Sequence, residues 1–298
     1  MSISKRLDVY LVDKFSISRN IAKQKIGQSL VKVNDKIITK SNFQVKENDI
    51  VELNNISVEI KNINMKPWNK KIDIIYEDDY IFVVNKPNDI IVHPSNYEVD
   101  KTLANIALNL FNDKGIEVFG DPLRMGIVHR LDKCTEGLLI IAKNQESFDK
   151  FTKLFLDKDI EKTYQALIDG HLKTKVVEVH APIKRVDNSN KREVSTDYDS
   201  KNAISIFKEI EKYKDFSLVE IKILTGRTHQ IRVHAEYIKN NILNDPIYGP
   251  KHNNKRTKYG QYLFANNLKF FHPFLKKEIN ISLEIPKEFK EYIKKYGK

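Results

Sequence analysis

In the segment Gly126–Lys143, two apolar strand-like runs flank a polar loop carrying His129, Arg130, Asp132, Lys133, Thr135 and Glu136. A loop held between two strands is a rigid mount for a reactive group. Asp132 has cations near it on both sides in the sequence, which favours its ionised form. Such a carboxylate can attack as a nucleophile or move a proton. The same pattern also suits a hairpin with a salt-bridged turn. A second segment runs from Leu224 to His234, where a strand ends at Gly226 and a helix begins near Thr228, a residue type that caps helices. Arg227 stands at that junction, beside the positive end of the helix dipole, a place suited to a carboxylate or a phosphate. His229 and Arg232 are three apart and share a helix face. His229 and His234 are five apart, without an accompanying carboxylate in a metal-binding pattern, so zinc is disfavoured. A helix with a solvated basic face remains open as the plainer reading.

The elements around these segments divide the chain in two. Leu7, Leu11 and Phe15 recur at helical spacing, and Ser18-Arg19 opens a second helix with Ile21, Ala22 and Ile26 on one face. Alternation follows in Val31-Lys32-Val33-Asn34, with a turn at Asp35-Lys36 and another short strand at Ile50–Leu53. Residues 61–71 contain Pro67 and lack periodicity, which predicts a linker. Beyond it, strands are expected at Tyr80–Val84, Gly126–Leu131, Leu138–Ala142, Thr163–Ile168 and Ser217–Leu224. Asn144 can cap a helix bearing the stripe Phe148, Phe151 and Phe155, while Ile231, Ala235 and Ile238 mark another. A short surface helix is expected from Pro286 to Lys298. Strands outnumber helices without regular alternation. The fold class is therefore α+β, a mixed and mainly antiparallel sheet (residues 72–298) after a small α/β domain (residues 1–60).

Composition narrows the function. The 298 residues carry 51 Lys and Arg against 40 Asp and Glu, a net +11. Nine of those cations and only three acids fall in residues 1–40. A basic surplus favours polyanionic partners, although it also serves solubility. No run of about 18 apolar residues exists, so no membrane-spanning helix is expected. The single Cys134 excludes an internal disulfide, and the expected compartment is the cytoplasm. A metal-dependent nuclease is disfavoured: Glu77-Asp78-Asp79 reads as an exposed turn, and no ligand constellation is visible.

The loop His129-Arg130-Leu131-Asp132, followed by Gly137-Leu138-Leu139, resembles the signature of the RluA family of RNA pseudouridine synthases. Four further segments stand in the family's order. They are Val83-Val84-Asn85-Lys86-Pro87 with Val92-His93-Pro94; Lys162-Thr163-Tyr164-Gln165-Ala166; Thr225–His234; and Asp245-Pro246 with Tyr248-Gly249 and Leu268–Pro273. Residues 1–60 resemble the S4 RNA-binding domain. The chain departs from the family at Glu136, where Ser is usual, and at Ser29 and Asp35, where Gly is usual. The glycine-rich lead-in to Asp245 is altered near Asn244.

The resemblance implies an isomerase that detaches uracil from its ribose, rotates it and rejoins it through carbon 5, without metal or other cofactor. It implies that Asp132 is the catalytic acid, that Arg227 pairs with it and keeps it charged, and that Tyr164 stacks on the uracil or helps remove the carbon-5 proton. Arg130 would fill the gap left by a flipped base, with His129, Arg232 and Lys86 around the substrate. Lys5, Arg6, Arg19, Lys23, Lys25 and Lys32 would form a phosphate-binding face on the N-terminal domain. The expected partner is large-subunit ribosomal RNA or a precursor ribosomal particle, met by a monomer. Transfer RNA is the alternative substrate, and a non-catalytic ribosome-assembly factor the alternative role.

Overall fold

The computed structural model describes residues 4–15, 19–27, 29–53, 65–95, 98–187, 189–249 and 257–298. They fall into two compact units, Met1–Asn64 and Met65–Lys298.

In the first unit, β1 (Lys5–Arg6) leads into α1 (Leu7–Phe15), followed by α2 (Arg19–Gly27), β2 (Val31–Val33), β3 (Lys36–Ile37), β4 (Gln44–Val45) and β5 (Val51–Leu53). β2 is flanked by β3 and β5 in an antiparallel sheet, and β1 pairs with β4. The helical spacing of Leu7, Leu11, Ala22 and Ile26 brings them onto Val31, Val33, Val45 and Val51 in one small core. Ser18 and the side chain of Ile21 lie outside the described residues. Asn34 and Asp35, both left-handed with φ of 49° and 63°, make the two-residue turn from β2 to β3. Asn and Asp tolerate that region better than other side chains.

The second unit contains β6 (Asp73–Glu77), β7 (Ile81–Lys86), α3 (Leu103–Lys114), β8 (Glu136–Ala142), α4 (Gln145–Asp157) and β9 (Ile160–Asp169). β10 (Val176–His180), β11 (Ile183–Arg185), β12 (Arg192–Val194), β13 (Ile204–Lys212), β14 (Phe216–Ile223) and α5 (Gln230–Tyr237) follow. The unit ends with β15 (Leu263–Phe271), β16 (Glu278–Ser282) and α6 (Lys287–Tyr296). Among the described residues, nine strands make one sheet, in the order β10-β13-β14-β9-β15-β8-β7-β6, with β16 also on β15. Every pairing is antiparallel except β15 with β8, where Phe264 and Ala265 face Glu136 and Gly137. Gly137 is required at this seam, since a Cβ there would stand 2.3 Å from the Ala265 carbonyl oxygen. This is the mixed, mainly antiparallel sheet that the strand pattern predicts.

Several elements differ from expectation. Gly126–Leu131 is not a regular strand and pairs through the single bridge Ile127–Ile141. Helix α3 has no counterpart among the expected elements, although a capping box of Thr102 and Asn105 opens it and Leu103, Ile106, Ala107 and Phe111 are buried on it. Of the expected linker, residues 61–64 lie outside the described residues. Met65 is buried, Trp68 packs against the main core, and the Trp68 N–H donates to the Asn105 carbonyl at 3.0 Å. The C-terminal helix α6 also buries a face, with Phe289 and Tyr292 in a core cluster. Asp78 caps a turn rather than facing water, accepting from the Tyr76 hydroxyl at 2.8 Å and the Tyr80 and Ile81 amides. Among the described residues, no helix is long and apolar enough to cross a membrane.

Candidate active site

The loop bearing Asp132 is set by what stops its strand from continuing. The Ala142 amide donates to the Gly126 carbonyl at 2.8 Å. Further along, the Ile140 amide donates to Nε2 of His129, at 3.0 Å, instead of to a backbone carbonyl. The ladder ends there and the chain swings out. Its return is pinned residue by residue. The Lys133 carbonyl accepts from Lys86 Nζ at 3.0 Å, and the Cys134 carbonyl from Asn88 Nδ2 at 2.8 Å. Thr135 Oγ1 accepts from Gln261 Nε2 at 2.7 Å, and Glu136 Oε2 from the Tyr259 hydroxyl at 2.9 Å.

Lys86, expected around the substrate, does not line the cleft. It is fully buried, and its three N–H bonds go to the carbonyls of Pro87, Ile90 and Lys133. Burial pushes its pKa down to about 8, against the opposing pull of Cys134, Asp132 and other nearby acids. Lys86→Met removes three donors at once and leaves buried carbonyls unpaired. The expected loss of stability is about 2–4 kcal/mol, read by urea denaturation, with activity falling as the loop loosens.

Asp132 lines a cleft of about 680 Å³, together with Leu131, Tyr164, Ile231, Leu263 and a set of cations. Its Oδ2 accepts from Nη1 of Arg232 at 3.0 Å, with His229 Nε2 3.9 Å away. Arg232 is itself locked. Its Nε and Nη2 make a bidentate pair with buried Asp245 at 2.6 and 2.7 Å, and its guanidinium lies 5.0 Å from the Tyr248 ring centroid. Burial opposes its charge, but Asp245 and Asp132 outweigh burial and hold its pKa above the ordinary value. Asp245 Oδ1 also accepts from the Ile247 and Tyr248 amides, so the Asp245-Pro246 turn supports the pair.

The pairing expected for Arg227 therefore belongs to Arg232. The cause lies in the turn before α5. The Gln230 amide oxygen accepts from the Thr225 hydroxyl at 2.8 Å and from the Arg227 amide at 3.0 Å, while its nitrogen donates to the Ile204 carbonyl. The helix is entered through His229, left-handed at φ 59°, not through Thr228 as cap. This geometry leaves Arg227 exposed, donating to the Asn202 carbonyl at 3.0 Å. Arg232, one turn along, points back to Asp132.

Tyr164 is buried beside the acid, and burial together with Asp132's charge pushes its phenol pKa well above the ordinary value. Arg130 is exposed at the cleft's edge. His129 stacks on Phe155 with centroids 4.3 Å apart. Burial, with Lys162's charge second, pushes its pKa down to about 3, and burial pushes His93 to about 4. Both imidazoles are neutral in the fold, whereas in the unfolded chain they titrate near 6.5. Protons therefore bind the unfolded state first as pH drops. Stability present above pH 6.5 is expected to drain away between pH 6.5 and about 3, read as a falling thermal midpoint. His129→Gln should flatten that fall.

Lys162, one of the residues quoted in the tyrosine segment but given no role by sequence reasoning, also lines the cleft, as its place two residues before Tyr164 on β9 could have signalled. In the first unit, Arg6 and Arg19 converge on one buried carboxylate. Arg6 Nε and Nη2 donate to Asp8 at 3.0 and 3.1 Å, and Arg19 Nε donates at 3.1 Å. Burial alone would raise the Asp8 pKa; the two guanidiniums bring it below the ordinary value. Lys5 pairs with Asp13, while Lys23, Lys25 and Lys32 form no ion pair among the described residues. Among the described residues, no group of three or more His, Cys, Asp or Glu is placed to hold a metal ion.

Residues 80–237 match the family model described as RNA pseudouridylate synthase, and residues 5–51 match the S4 domain. The chain is 35% identical over 295 residues to the uncharacterized RNA pseudouridine synthase MG209 homolog of Mycoplasma pneumoniae, covering 98% of this chain and 92% of that one. It is 33% identical over 308 residues to ribosomal large subunit pseudouridine synthase D of Buchnera aphidicola, covering 98% and 95%. The fold is shared with human RNA pseudouridylate synthase domain containing 1, at a TM-score of 0.60 and 23% identity over 74% of this chain and 86% of that one.

Proposed function

The chain belongs to the RluA family of RNA pseudouridine synthases, which are isomerases, and on that premise we propose that it converts uridine to pseudouridine in large-subunit ribosomal RNA with Asp132 as the reacting acid. The observation that carries the catalytic part is the placement of Asp132. A carboxylate lines a cleft that also presents apolar side chains, and it is aimed by a guanidinium that is itself fixed by Asp245.

The isomerisation breaks the N1–C1′ bond and forms a C5–C1′ bond; carbon 5 gives up a proton and N1 gains one. Asp132 either attacks the nucleoside or assists bond cleavage and proton transfer. Arg232 steadies its negative charge in both cases. Tyr164 enters as a neutral phenol, because its raised pKa leaves no phenolate at physiological pH. Its ring offers the uracil a stacking face. The target base must leave its stack to reach the cleft, and Arg130 at the cleft's edge suits the space it vacates. The ribosomal target is supported by relatives named ribosomal large subunit pseudouridine synthase D. In the first unit, the Arg6–Asp8–Arg19 cluster with Lys5, Lys23, Lys25 and Lys32 would hold backbone phosphates. The expected setting is the cytoplasm, with a monomer meeting free RNA or a precursor particle.

Mapping carbodiimide-reactive pseudouridines in total RNA, with and without the gene, tests this reading. A site lost from large-subunit ribosomal RNA is expected. A loss confined to transfer RNA moves the substrate, and no loss anywhere favours a non-catalytic assembly factor.

A further inference from the structure

Lys162 is a half-buried cation of the cleft with no counter-charge among the described residues. The other cations there are provided for. Arg232 has Asp132 and Asp245, Lys222 pairs with Glu161, and Arg227 donates to a carbonyl. Arg130 and Lys158 are exposed to water. Glu161, the neighbouring acid and itself part of the cleft lining, is spent on Lys222. Among the described residues, no ion pair or hydrogen bond joins the Lys162 ammonium to an acid. Its surroundings are the Phe155 ring, with the centroid 5.3 Å from Nζ, and the backbone at Gly226. A Cβ placed on Gly226 would meet Nζ at 3.5 Å and, apart from its chain neighbours, nothing else within 4 Å. The ammonium thus borders open space inside the cleft. Burial lowers its pKa, and no nearby acid offsets that.

A cation withdrawn from water without a partner is costly. A cleft that keeps one is complementary to an anion supplied by the substrate. Uracil and ribose are neutral, so the only anions an RNA brings are its phosphates. We propose that Lys162 receives a backbone phosphate of the nucleotide whose base enters the cleft. This rests on the reading of the cleft as a uridine site. It gives the extruded nucleotide two anchors, its base against Tyr164 and its backbone at Lys162, so that the reacting sugar is oriented from both sides.

The test is a cycle between protein and RNA on the full-length chain. Lys162→Met is expected to lower kcat/KM by about 10–100-fold, chiefly through KM, with Lys162→Arg recovering much of the loss. Replacing one phosphate beside the mapped uridine with a neutral methylphosphonate should cost the wild type a similar factor and cost Lys162→Met little more. Binding to a large-subunit ribosomal RNA transcript is measured in an Asp132→Asn background. There, Lys162→Met should reduce the slope of log affinity against log salt by about 0.7–0.9. Thermal midpoints of both Lys162 variants check that the fold survives. Wild-type kcat/KM in Lys162→Met, losses that multiply with every methylphosphonate, or an unchanged salt slope would overturn the proposal. A wild-type chain that isomerises no uridine overturns the functional reading instead, and the salt slope still decides on Lys162.

Discussion

Asp132→Asn is expected to keep the fold and lose about 10⁴-fold or more in activity. The two side chains have the same shape, and the change removes only the charge. Arg232 keeps both hydrogen bonds to Asp245, so no buried cation is stranded. The Asp132 side chain is 19% exposed, and its loop is pinned by Lys86, Asn88 and Gln261 rather than by its own carboxylate. What disappears is the group that attacks or moves the proton, for which an amide is no substitute. Tritium release from RNA labelled at uridine carbon 5, under single-turnover conditions, gives the rate, and near-ultraviolet circular dichroism checks the fold. Retention of activity within tenfold of wild type would remove Asp132 from the chemistry.

The second large effect separates two arginines whose expected roles the geometry exchanges. Arg232→Met should destabilise the protein by about 3–5 kcal/mol, because Asp245 is buried and would lose its bidentate partner. Activity should fall by about 10³-fold as Asp132 loses its aim. Arg227→Met, at an exposed position, should leave stability unchanged and shift KM by only a few-fold. Adding Asp245→Leu to Arg232→Met removes the stranded charge and should recover part of the stability without any activity. Urea denaturation and single-turnover rates on the four proteins give the answer. Equal losses from the two arginine variants would contradict the geometry.

The difference between these arginines shows where sequence reading stops. Alternation found the central strands, because Tyr164, Ala166 and Ile168 must turn one face to the core whatever lies beyond them. The motif order singles out Asp132. Nothing in Thr225–Arg232 reveals that His229 takes a left-handed conformation, or that Gln230 ties down the Arg227 amide. Those two details decide which guanidinium faces the acid. Lys86 and Lys162 fail in opposite ways for a related reason. Both are lysines within matched segments. Only three dimensions show that one is saturated by carbonyls and the other faces open space. The stretch at Met65–Trp68 looks like a tether because its few apolar residues have no period. Its packing depends on Asn105, some forty positions later in the chain.

The parallel seam between β8 and β15 has a bearing on how the protein comes into being. The strands on one side of it are complete by Ala142, and those on the other begin only at Ile160. Asp132 comes from the earlier half, Arg232 and Tyr164 from the later, and β15 that joins the halves starts at Leu263. Pairings so far apart in sequence form slowly and late. A polypeptide still emerging from the ribosome would thus not bring the halves that carry Asp132, Arg232 and Tyr164 together in one sheet until β15 has been made.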